Sequence, residues 1–256
     1  ADTGQVGGIR AGLELMYTAG QILIEAAETG ESEGVYSHGG LTPWRVMLRR
    51  DGQVQIIGHA LPQVEILRFH EDGKRIPRED SFRYCPPERI EQGPEDLSSD
   101  LFGLSLIAFE LMTGRPVYDG LVNDIRQQAA RGEGSRRLFR FRDKLPDAVR
   151  ECLGNALRRD TEDRFATGQD FLASVSDVLS RSSTTGSSLM DLMSQVTRQD
   201  QRLGSRPDNA STMMASVGEM QQMAEDADLP SSVDAGPPSE RWAPPPDRRA
   251  RKPRSP

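Results

Sequence analysis

Several residue types are scarce in this 256-residue chain, and each shortage removes a class of function. Two cysteines, Cys85 and Cys152, cannot build a disulfide framework, and with three scattered histidines they do not make a zinc site. Both read as core residues. No run of about 18 apolar residues occurs, and the longest stretches, such as Leu104–Met112, contain Ser105 and Glu110. A membrane-spanning helix is therefore excluded. Apolar residues make up 36% of the chain and aromatics 5%, too little to pack all of it, so part is expected to stay unfolded. Lysine is nearly absent: 32 basic residues less Lys74, Lys144 and Lys252 leave 29 arginines. That bias points to a GC-rich, bacterial coding sequence. The net charge of −7 is ordinary for a cytoplasmic protein. At the start, Gly4, Gly7 and Gly8 stand where a signal peptide needs an apolar stretch. Residues 1–8 read as a flexible end that was cut or processed, and Gly4-Gln5-Val6-Gly7-Gly8 follows no strand that would make it a phosphate loop.

What is present divides near Ser180. Residues 181–256 hold 9 of the 17 prolines, much Ser, Thr and Gly, and few large apolar side chains besides methionine. The expectation is a disordered tail, because burial there cannot offset a backbone entropy of roughly 1–2 kcal/mol per residue. Two stretches nevertheless keep helical spacing: Leu189, Leu192, Met193 and Val196, then Met213, Val217, Met220 and Met223. They read either as docking motifs for a protein partner, as transient turns, or as a helix folding back on its own domain. Pro237-Pro238 and Pro244-Pro245-Pro246 favour an extended polyproline form. The end from Arg241 carries six cations against Asp247, but without interleaved aromatics a nucleic-acid partner is not expected.

Residues 9–180 carry the periodic patterns of one folded domain. Ile9, Leu13, Met16, Tyr17, Leu23, Ile24 and Ala27 predict a long helix ending at Gly30. Val46–Leu48 and Val54–Ile57 around Asp51-Gly52 predict a hairpin. Residues 61–95, with five prolines, predict a long ordered loop. A strongly apolar helix over Leu97–Met112 should be capped by Ser98, Ser99 or Asp100 and stopped by Gly114. Further helices are expected at 121–131, 146–158 and 167–180. One hairpin among five helices makes the domain mainly α.

This order of elements resembles the C-terminal lobe of the eukaryotic-type Ser/Thr protein kinase fold, and short motifs agree. His38-Gly39-Gly40-Leu41-Thr42-Pro43-Trp44-Arg45 resembles the catalytic loop, of family pattern H-R-D-L-K-P-x-N. Gly58-His59-Ala60 stands where the family has Asp-Phe-Gly, and Tyr84-Cys85-Pro86-Pro87-Glu88 resembles the segment ending in Ala-Pro-Glu. Asp96–Gly103 is similar to the start of the lobe's central helix. Glu110–Pro116 has the form of that helix's exit. The resemblance implies that Glu88 and Arg164 form a buried ion pair. It also implies that Asp100 accepts hydrogen bonds from the His38–Gly40 turn.

The departures bear on chemistry. Phosphoryl transfer needs a carboxylate for the attacking hydroxyl and oxygen ligands for Mg²⁺. By the resemblance, those positions are Gly40, Arg45 and Gly58, and the loop lysine is Thr42. The arginine that receives a regulatory phosphate is Gly39. No catalytic, cofactor-binding or metal-binding residue is expected, and the positions His38, Gly40, Thr42, Arg45 and Gly58 are degenerate. The implied function is a pseudokinase-like binding or scaffold module with no kinase activity. Two alternatives stay open. One is a divergent kinase or nucleotide transferase that uses an upstream lobe and Glu31, Glu33 or His59. The other is a structural subunit of a larger assembly.

Overall fold

The computed structural model describes residues 8–59, 79–181, 186–202 and 214–216. The protein is mainly helical. Helix α1, Gly8–Gly30, buries Ile9, Leu13, Met16, Leu23 and Ile24 along one side, following the apolar spacing of its sequence. It lies against α3, Leu97–Thr113, and α7, Gly168–Arg181. The approach to α3 depends on Gly12. A Cβ there would stand 2.4 Å from Met112 Cγ and 3.0 Å from the Ala108 carbonyl oxygen, so no larger residue fits without moving the helices apart.

Helix α3 is the core of the domain, buried on every side from Ser99 to Thr113. Such a helix has no solvent face and needs no amphipathic pattern. Its cap is Asp96, not one of the residues expected from sequence. The Asp96 carboxylate accepts from Ser98 N at 2.8 Å and Ser99 N at 3.3 Å, while Asp96 N donates to Ser99 Oγ at 3.3 Å. This capping box lets the helix begin at Leu97, which carries Ser98 to Asp100 inside the first turn. Gly114, with φ 66°, closes the other end through its N–H to the Glu110 carbonyl.

Between α1 and α3 run the hairpin strands β1, Val46–Arg49, and β2, Val54–Ile56, turned at Gly52 with φ 81°. Val46 faces Ile56 and Leu48 faces Val54. Of the long segment expected at 61–95, residues 60–78 lie outside the described residues. Glu79–Tyr84 forms a short 3-10 turn, followed by the single helical turn α2, Pro87–Ile90. Beyond α3 come α4, Val122–Ala130, α5, Gly134–Arg137, a 3-10 turn at Leu138–Phe141, and α6, Asp147–Ala156. Phe141 meets Phe109 of α3 edge to face at 4.8 Å.

The tail differs from its sequence reading over two stretches. Leu189–Arg202 forms helix α8, and its Leu189, Leu192 and Met193 are buried against the domain. Of the three readings of this stretch, a docking motif for a partner, transient turns or a helix folding back on its own domain, the structure shows the last, with α1 and β1 covering the face. Ser188 and Asp191 bond reciprocally at the helix start, and Leu189 N donates to Glu14 Oε2 of α1 at 2.9 Å. Strand β3, Met214–Ser216, then pairs antiparallel with β1, giving the order β2-β1-β3. The hairpin alone would leave the backbone groups of β1 open along one edge, and β3 satisfies them. Val196 lies within α8, whereas Met213, Val217, Met220 and Met223 fall outside the described residues.

Candidate functional site

The candidate site is the loop Ser37–Arg45 with the end of β2. Its shape is set by Asp100, in the first turn of α3. His38 N donates to Asp100 Oδ2 at 2.5 Å and Gly39 N to Oδ1 at 3.3 Å, so one carboxylate holds two successive backbone amides. Gly39 takes φ 75°, a left-handed conformation that suits glycine. Burial pushes the Asp100 carboxyl up to about 7, against the two amides and the Arg89 guanidinium, which pull it down.

His38 is fully buried beneath the loop and donates through Nε2 to the Ile57 carbonyl at 3.0 Å, which leaves Nδ1 buried with no partner. Burial holds its pKa down at about 4, and His59, Arg45 and Arg89 add to that depression. The His59 ring meets His38 edge to face at 5.3 Å, and burial lowers its pKa as well. Two imidazoles in contact, each short of a hydrogen-bond partner, are stable together only when neutral.

Arg45 joins the two ends of the site. Its N–H donates to the Thr42 carbonyl and its carbonyl accepts from Ile57 N, both at 2.9 Å. Its Nη1 donates to the Gly58 carbonyl at 3.2 Å. Gly58 has φ 80°. The positions that sequence reading singled out as His38, Thr42, Arg45 and Gly58 are thus one connected cluster. Gly40 follows directly on the amides held by Asp100. A half-buried guanidinium and a backbone carbonyl thus meet at the end of β2. Among the described residues no group of three His, Cys, Asp or Glu gathers to hold a metal ion. Glu31 sits exposed in the turn Glu31–Glu33, and His59 is placed in this cluster.

Glu88 and Arg164 meet at the first turn of α3, where Ser99 Oγ donates to Glu88 at 2.6 Å. Arg164 Nη1 and Nη2 each donate to a different Glu88 oxygen at 2.8 Å, with the arginine side chain 2% exposed. Arg164 also donates to the carbonyls of Arg158 and Arg159 at 2.8 and 2.9 Å and lies over the Phe102 ring. Burial would raise the Glu88 carboxyl, but the Arg164 fork and the Ser99 hydroxyl outweigh it and hold it low. The geometry is bidentate, with the arginine side chain buried and the glutamate side chain 12% exposed, and two parallel charge-assisted bonds are the strong form of such a pair.

Two further pairs were not foreseen from the sequence. Arg89 forks onto Glu95, and Tyr84 Oη donates to Glu110 Oε2 at 2.7 Å. Glu110 carried a signal, because a carboxylate inside an otherwise apolar helix must find a donor. Arg89 and Glu95 had none, since their pairing depends on how the loop after α2 turns. Among the described residues no helix is long and apolar enough to cross a membrane. Comparison of the sequence with protein-family models and with curated proteins finds no match.

Proposed function

We propose that residues 9–180 are a protein-kinase-like C-terminal lobe that has lost phosphoryl transfer and works as a cytoplasmic binding or scaffolding module. The observation that carries this reading is the Arg45 guanidinium donated to the Gly58 carbonyl at 3.2 Å. By the motif resemblance, the two residues occupy the positions of the kinase Mg²⁺ ligands. At about 4 Å and an effective dielectric constant of about 20, a guanidinium repels a dication by roughly 8 kcal/mol. No oxygen ligand from either side chain offsets that repulsion. Supporting the kinase-like frame are the Asp100 grip on the His38–Gly39 amides and the Glu88–Arg164 fork. Residues that hold the frame persist while residues that hold metal and base do not.

The test is phosphoryl transfer by the full chain, supplied with Mg²⁺ and γ-labelled ATP, to itself and to a generic basic protein substrate. The expected result is no incorporation above a boiled control. Incorporation that disappears in Glu31→Gln or His59→Ala replaces this reading with a divergent enzyme.

A further inference from the structure

Residues 131–144 carry six cationic side chains against two carboxylates, in a chain whose net charge is −7. Arg137 is used internally: its Nε donates to the Val117 carbonyl at 2.7 Å, and it pairs with Asp119 and Glu133. Those bonds tie the loop that carries Leu121 to the turn that carries Phe139. Both side chains face water, 78% and 62% exposed. The Arg142 guanidinium lies over the Phe139 ring at 5.2 Å, and Arg136, Arg140, Arg142 and Lys144 are all exposed. Apolar side chains fringed by cations fit a ligand that is apolar along one side and acidic beside it.

We propose that this surface is the docking site of the chain's own segment 217–229. That run has Glu219, Glu225, Asp226 and Asp228 and no cation, so four carboxylates meet four exposed cations. Val217, Met220 and Met223 supply its apolar side, and methionine adapts to an exposed aromatic ring. The segment starts directly after β3, which anchors Ser216 to Met47. At 3.3–3.6 Å per extended residue, Asp226, ten residues further on, reaches about 35 Å from that anchor. Single-stranded nucleic acid is served less well. Glu133, Asp143 and Asp147 interrupt the cation row, and a backbone track needs a continuous one.

Among the described residues Lys144 is the only lysine, and it lies on this surface. Zero-length carbodiimide coupling of the full chain, mapped by mass spectrometry, therefore reads the contact directly. The expected product joins Lys144 to Glu219, Glu225, Asp226 or Asp228. A yield independent of protein concentration places the contact within one molecule, and a yield that rises with concentration places the same segment on a second copy. Reversing charge with Arg140→Glu and Arg142→Glu should lower that yield about five-fold. Adding Glu225→Arg and Asp226→Arg should restore most of it to Glu219 and Asp228. Circular dichroism checks that each variant folds. Coupling of Lys144 to its own neighbours Asp143 and Asp147 alone overturns the proposal. So does a tail product insensitive to charge reversal, or binding of a single-stranded oligonucleotide at Arg140 with no tail product.

Discussion

Replacing Glu88 with glutamine tests the reasoning about the frame most severely, because the change is nearly isosteric and removes only charge. Arg164 then keeps its donors to the carbonyls of Arg158 and Arg159 but faces an amide in place of a carboxylate. With its side chain 2% exposed, the guanidinium cannot turn to water. Breaking one partner of a buried, forked pair costs about 3–5 kcal/mol. For a domain of this size that corresponds to a fall in Tm of about 10 °C. Urea titration followed by circular dichroism should show the midpoint drop with the slope unchanged, since the surface exposed on unfolding stays the same. The double variant Glu88→Gln with Arg164→Met should be less destabilised than the sum of its parts, because removing both charges leaves neither stranded. A loss below about 1 kcal/mol for Glu88→Gln, or strict additivity in the cycle, would refute the claim that this pair is desolvated and coupled.

Three other perturbations follow from the same geometry. His38 has a folded pKa of about 4 against an unfolded value near 6.5, so its contribution is complete above pH 6.5 and is lost as pH falls towards 4. The stability difference between wild type and His38→Phe should therefore shift by about 2 kcal/mol against wild type between pH 7 and pH 5. Asp100, raised to about 7, acts in the opposite direction in both proteins and cancels from that difference. A difference constant with pH contradicts the account. Gly12→Val should cost about 1–3 kcal/mol by forcing α1 away from Met112, and part of that loss should return with Met112→Ala. Leu192→Ala should cost about 2–4 kcal/mol and raise hydrogen exchange at Leu48, which alternates with Arg49 (bonded to Gln53 on the β2 side) and so turns its amide towards β3. No change in either readout would mean that α8 does not hold the domain.

The parts of the fold legible in the sequence were those written locally. Asp51-Gly52 between two apolar runs marks the hairpin, and the strongly apolar stretch of α3, broken only by Gly103, Ser105 and Glu110 between Leu101 and Met112, marks a buried helix. Composition led to the expectation of disorder across the tail, with a helix folding back on the domain left as one alternative for the stretch from Leu189. Averaged over 181–256, apolar content is too low to fold alone, yet α8 needs only Leu189, Leu192 and Met193 because α1 and β1 supply the other half of the contact. Strand β3 is beyond local reading, since three residues carry little pattern of their own. The α3 cap was missed because Ser98, Ser99 and Asp100 are all good capping residues, and only the extended backbone of Asp96 decides among them. In the site, the motif resemblance singled out Gly40, Arg45 and Gly58 from the sequence. The bond from Arg45 to the Gly58 carbonyl was not legible there, because it depends on how the end of β2 returns to the loop.

Thermal unfolding of the full chain with and without Mg²⁺ and a nucleoside triphosphate decides whether the chain, with Arg45 bonded to the Gly58 carbonyl, binds a metal–nucleotide complex. A ligand present at about 100 times its Kd stabilises by about 2.7 kcal/mol, several degrees of Tm here. The account predicts no Mg²⁺-dependent rise at millimolar nucleotide. A rise of that size, abolished by removing Mg²⁺, would contradict it.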